Sequence, residues 1–125
     1  YGLKNECNKY QLMPLLPSYI PPDYQLYNFK LDEAEGLRKD ITILFKNEEK
    51  TISFDISFYQ DDNIPELILP NKSQEIEKLN MNGIDVYLLN QGSYYEAMFR
   101  YKNTTYSITS SVNHEEFIKI IKSMK

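Results

Sequence analysis

The order of elements in the last third of the chain does most to limit its fold: tyrosine-rich runs of strand character lead into a single amphipathic helix. Asn82-Gly83 divides two alternating runs, the second carrying Ile84, Val86 and Leu88. An Asn-Gly pair in that setting predicts a two-residue hairpin of firm register, because both central residues of a type I′ turn need φ > 0. Tyr95, Ala97, Phe99 and Tyr101 then alternate with Glu96, Met98, Arg100 and Lys102, and Asn103-Thr104 turns the chain into a run over 105–110. Asn113 stands three residues before Glu116, a capping-box spacing, and Glu115 and Glu116 put carboxylates at the positive end of the helix dipole. Phe117, Ile120, Ile121 and Met124 recur at helical spacing, so one apolar stripe runs along a helix reaching about Met124.

Upstream the period is also two. Ile41, Ile43 and Phe45 share one face of a strand; after the polar turn Asn47-Glu48-Glu49, Ile52, Phe54, Ile56 and Phe58 alternate with Thr51, Ser53, Asp55, Ser57 and Tyr59. Such a strand is dry on one side and wet on the other, the habit of antiparallel sheets. Pro14, Pro17, Pro21 and Pro22 make the opening segment extended, although Leu12, Met13, Leu15, Leu16, Tyr19 and Ile20 give it surface to pack. Residues 61–73 form an irregular insertion around Leu67-Ile68-Leu69, and strand character resumes near Gln74. The fold class is therefore α+β: a curved antiparallel sheet of about six to seven strands, one C-terminal helix packed on one face, and an extended Pro-rich N-terminal segment. We expect a loosely ordered extension over 1–13 and one domain over 14–125. A sheet of seven strands is about 30 Å wide and a helix covers only about 10 to 12 Å. Either the sheet curls around the helix, or the Pro-rich segment covers part of the apolar face, or a concave surface stays open for a ligand.

Charge separates several function classes. Eighteen acidic side chains against 14 basic ones leave a net charge of −4, with lysines interleaved among Glu and Asp rather than gathered on a face, so nucleic acid is not an expected partner. An ordinary apolar content and 11 Tyr with 6 Phe argue for a packed domain rather than a disordered one. Cys7 is the single cysteine, which excludes an internal disulfide and a multi-cysteine zinc cage. Lys4-Asn5-Glu6 before it is too polar for a lipid-attachment signal, and Cys7 reads as an incidental thiol in a loose segment. No run approaches the length of a membrane-spanning helix. The chain opens on Tyr1 rather than methionine, from which we expect a domain of a longer protein or a processed segment.

No residue cluster spells a reaction, and we expect no enzyme and no cofactor. His114, the only histidine, falls in the first turn of a helix, a position suited to solvent. Asp61, Asp62 and Asn63 lack the alternation and central glycine of a calcium loop and read as a polar turn; Asp32, Glu33 and Glu35 have the same status. Asn71 and Asn103 each head a glycosylation sequon, a pattern that matters only in a glycosylating secretory context. The tyrosines carry more weight. Tyr87, Tyr94, Tyr95, Tyr101 and Tyr106 would give an aromatic wall for peptide, glycan or lipid, against the plainer reading of cross-strand packing.

Two segments together carry a family resemblance. Leu16-Pro17-Ser18-Tyr19-Ile20-Pro21-Pro22-Asp23-Tyr24-Gln25-Leu26 is similar to the opening of the domain-of-unknown-function family 4367, with Asp23 where glycine is usual. Asn82-Gly83, Val86-Tyr87, Phe99-Arg100-Tyr101, Tyr106-Ser107-Ile108 and the closing Phe117-Ile118-Lys119-Ile120-Ile121 resemble the remainder, with Phe99-Arg100 in place of a frequent tryptophan. The resemblance spans about residues 14–124. It implies an extracytoplasmic domain of Gram-positive bacteria, at the cell surface or membrane-anchored through a segment absent from this chain, and it brings no catalytic residues. The function so implied is a non-enzymatic sensing or binding module, such as the outer domain of an anti-sigma-factor-like regulator or lipoprotein, engaging an unknown protein, peptide, glycan or lipid. The alternatives are a small hydrolase using carboxylates of the Asp61-Asp62 loop, and a structural spacer or oligomerisation domain.

Overall fold

The computed structural model describes residues 2–34, 38–60, 66–67 and 76–125. Seven antiparallel strands form one sheet in the order β1-β2-β3-β7-β6-β5-β4. They are β1 (Gln25–Ala34), β2 (Arg38–Asn47), β3 (Lys50–Tyr59), β4 (Ile76–Met81), β5 (Ile84–Asn90), β6 (Tyr95–Tyr101) and β7 (Thr104–Ser110), flanked by α1 (Leu3–Lys9) and α2 (His114–Lys122). The chain makes two meanders, β1 to β3 and β4 to β7, and pairing of β3 with β7 zips them together, Ile56 opposite Tyr106.

Turn chemistry sets the register. Asn82 and Gly83 both adopt positive φ, 52° and 87°, and Met81 pairs with Ile84, which is the hairpin that an Asn-Gly pair predicts. Lys102 has φ 54° in the turn that pairs Tyr101 with Thr104. The inward residues Ile41, Ile43, Phe45, Ile52, Phe54, Ile56, Val86, Leu88, Ala97, Phe99, Tyr106 and Ile108 are all buried in one core. Packed on them is α2, whose Phe117, Ile120 and Ile121 have no exposed surface. Asn113 caps it by accepting a 2.9 Å hydrogen bond from the Glu116 amide. The helix stops at Lys122, and Met124 instead forms an isolated bridge with Pro17.

That bridge answers the question of sheet width. One helix leaves much of the inner face bare, and the N-terminal segment covers it with Leu16, Ile20 and Tyr24, all buried. Its backbone is tied to the end of the chain: the Lys125 amide donates to the Leu16 carbonyl at 3.0 Å, and the Ser18 hydroxyl donates to the Ser123 carbonyl at 2.7 Å. The Tyr19 hydroxyl reaches Glu116 at 2.6 Å.

The expected loose extension over 1–13 is corrected by α1. Leu3 and Cys7, four residues apart and on one side of the helix, join the core at 3% and 1% exposure. A short helix of this composition is marginal alone, and packing of those two side chains is what holds it. It ends in a Schellman arrangement: the Leu12 amide donates to the Cys7 carbonyl and the Gln11 amide to the Asn8 carbonyl, with Gln11 at φ 59° where glycine is usual. No glycine or periodic run marked this end in the sequence.

Candidate functional site

The sheet's outer face is polar over most of β3 and β7 and turns apolar on β5 and β6, where Tyr87 and Met98 lie beside the fully buried Leu89. A register row crosses it from Lys30 through Thr42, Asp55, Ser107, Met98 and Tyr87 to Lys78. Burial, with the neighbouring Asp40 and Glu96 charges, pushes the Asp55 carboxyl up against the lowering effect of its 3.5 Å hydrogen bond from Thr42. Glu96 is held by Ser107 at 3.2 Å and Gln91 at 3.3 Å. Among the described residues no group of three or more His, Cys, Asp and Glu side chains is placed to hold a metal ion. The Asp61-Asp62-Asn63 turn, Glu35 and the Asn71 sequon lie outside the described residues. Asn103 uses its side-chain amide within the fold, donating to the Tyr59 carbonyl at 2.6 Å.

The tyrosines separate by role. Tyr106 is buried: its ring stacks on Phe99 at 4.5 Å and 8°, and its hydroxyl accepts from the Leu15 amide at 2.9 Å. Burial pushes its pKa up to about 12, the Leu15 bond opposing. Tyr95 is half-buried, stacked on Phe117 at 5.7 Å and edge-on to His114 at 5.6 Å. His114 points to Glu77 on the edge strand, Nε2 to Oε1 2.8 Å, so the only histidine joins α2 to β4. Tyr94 is exposed beside Glu49, Thr51 and Thr109, away from the others. They form no single wall.

Tyr87 and Tyr101 border one opening. They line a cleft of about 640 Å³ beside the β4–β5 turn, with Asn82, Gly83, Ile84, Asp85, Arg100 and Lys102, and with Glu66 and Leu67. That size falls within the range of small-ligand sites. Asp85 is engaged by Lys78 at 3.5 Å, and the Lys102 ammonium lies 5.3 Å from the Tyr101 ring centre. Arg100 has no ion pair among the described residues. Candidate residues read from the sequence omitted Arg100, Lys102 and Asp85. A meander puts alternate turns at the same end, so the pairing of the Asn82-Gly83 tip with the Asn103 turn was a usable signal for this cleft.

Architecture and site together define a single-sheet α+β domain with a covered inner face and a tyrosine-walled cleft at the end of its second meander. The chain belongs to the family described as Domain of unknown function (DUF4367), whose model matches residues 14–124. No curated protein matches the chain.

Proposed function

We propose that the domain is a non-enzymatic binding or sensing module working outside the cytoplasm, at the cell surface or as the outer part of a membrane-anchored regulator, and that it takes its ligand in the Tyr87–Tyr101 cleft. The observation that carries this is the convergence of Tyr87 and Tyr101 with Arg100 and Lys102 around one opening. Tyrosine rings supply apolar area with little conformational entropy to lose, and the cations add charge recognition. The centre of the inner face takes no part, because α2 and residues 16–24 already cover it. The family resemblance is what supports the extracytoplasmic setting.

The test is a melting-temperature screen of the purified domain with cell-wall glycans, lipids and peptides, since a ligand selective for the folded state raises the midpoint. A shift with one class, abolished by Tyr101→Ala, is expected. No shift with any class refutes the reading. A shift retained in Tyr101→Ala places the ligand elsewhere.

A further inference from the structure

Beyond Tyr101 the surface continues. Tyr101 and Lys102 line the cleft and also a second groove of about 390 Å³, so this pair is the wall between the two. The second groove differs in chemistry: Leu12, Met13, Phe58 and Tyr59 line it, and Lys39 stands with Lys102 among its cations. Met13 is 90% exposed, the largest exposure among the described large apolar side chains. An unbranched apolar chain kept in water beside a groove is poised to cover a ligand.

We infer that the two openings together bind one anionic amphiphile, its charged group between Arg100 and Lys102 and its alkyl chain laid over Tyr101 against Met13 and Phe58. This rests on the reading of the Tyr101 cleft as a ligand site and adds the class of ligand. Charge complementarity points to an anion: in a chain of net charge −4, Arg100, Lys102 and Lys39 gather here, while among the described lining residues of the cleft the carboxylates are Glu66 and Asp85, the latter already engaged by Lys78. The groove favours an alkyl chain over an added peptide strand. The Tyr59 amide donates to the Asn103 carbonyl at 2.9 Å, and the Tyr59 carbonyl accepts from the Asn103 side chain, which leaves side chains rather than free backbone to meet an occupant.

The experiment is calorimetric titration of the 125-residue chain with dodecyl phosphate below its micelle concentration, beside dodecyl maltoside and inorganic phosphate. Saturable binding of one dodecyl phosphate per chain is expected, with about tenfold weaker binding of the maltoside and weakening at high salt. Arg100→Gln and Met13→Asp each lower the affinity about tenfold while the melting temperature stays unchanged, both side chains lying at the surface. Equal affinity for the maltoside overturns the inference, as does binding of inorganic phosphate as tight as that of dodecyl phosphate. Uptake only by phosphatidylglycerol vesicles also overturns it, since that marks a membrane surface rather than a single-molecule ligand. If dodecyl phosphate fails while a glycan or peptide gives a shift that Tyr101→Ala removes, this inference falls and the cleft stands as a ligand site. If no class gives a shift, both fall.

Discussion

Replacing Tyr106 with phenylalanine removes one oxygen from the centre of the molecule and tests how the N-terminal segment is held. The ring is 3% exposed and stacked on Phe99, and phenylalanine keeps both the volume and the stack. What is lost is the 2.9 Å hydrogen bond from the Leu15 amide, in a part-buried position. A neutral hydrogen bond contributes about 1 kcal/mol net, and a donor left without a partner away from water costs about 1 to 3 kcal/mol. An intermediate total of about 1 to 2 kcal/mol suits a part-buried amide that gains some access to water on truncation. With about 2.1 cal/mol/K of unfolding entropy per residue, a chain of this length should melt about 4 to 8 °C lower. Thermal unfolding measures that shift, and amide exchange locates it, because the Leu15 amide should lose protection first. Tyr95→Phe is the control: its hydroxyl has no hydrogen bond among the described residues, and its ring stack on Phe117 survives, so the change should stay within about 0.5 kcal/mol. A Tyr106→Phe shift no larger than the Tyr95→Phe shift, with the Leu15 amide still protected, refutes the anchoring role. The same residue shapes the alkaline limb. Burial raises the folded-state pKa from 10.0 to about 12, so the folded protein favours the neutral phenol. The stability this contributes is intact below the ordinary value and lost as pH climbs toward about 12. Tyr106→Phe should therefore lose less stability than the parent over that interval.

Other consequences are more local. Asp55, on the wet side of β3, has its carboxyl pKa raised, chiefly by desolvation and further by Asp40 and Glu96, so the ionised form opposes folding; solvent screens the effect, and Asp55→Asn should raise the urea midpoint at pH 7 only slightly, with the gain shrinking as pH falls into the carboxylate range. Cys7 is buried, with its thiol pKa pushed up by burial and then by Glu6, so a thiol reagent should react slowly with the native chain and at once in denaturant; equal rates would show that α1 is not docked. Asn113→Ala removes the acceptor of the Glu116 amide and should cost about 1 kcal/mol in denaturant unfolding, with Asn113→Ser near neutral.

Where local chemistry decides a structure alone, the sequence revealed it. Asn82-Gly83 names its own turn, Asn113 names the start of α2, and the alternation from Ile52 to Phe58 separates the two faces of β3. Long-range contacts were harder to read. Nothing near Pro17 announces that it bridges Met124, because the two meet only after the sheet has formed between them. For α1, neither periodicity nor a glycine stop was available; seven residues are too few for a periodic signal, and its stability comes from docking Leu3 and Cys7. The tyrosines show the same limit. Alternation places Tyr95 and Tyr101 on the inner side, but it cannot say that Tyr95 is engaged by Phe117 while Tyr101, at the end of the sheet, keeps 37% of its surface.

The extent of the family match bears on the ligand. Residues 14–124 contain the sheet, α2 and the strap from Leu15 to Tyr24, and the strap is fastened to the other end of the matched region by the Pro17–Met124 bridge. The matched region also contains the Tyr87–Tyr101 cleft with Arg100 and Lys102. Gln11, Leu12 and Met13, which build part of the second groove, lie before it, as does α1. The proposed anion site therefore lies wholly within the matched residues, whereas the proposed apolar extension draws in part on Leu12 and Met13, which precede them. It follows that Met13→Asp should weaken a long-chain anion and leave a short-chain analogue such as butyl phosphate nearly unaffected, whereas Arg100→Gln should weaken both by similar factors, about tenfold for a lost charge-assisted hydrogen bond. Titration of both ligands against both variants separates the contributions. Parallel losses for the two ligands in Met13→Asp would show that the groove acts through the anion site rather than by holding an alkyl chain.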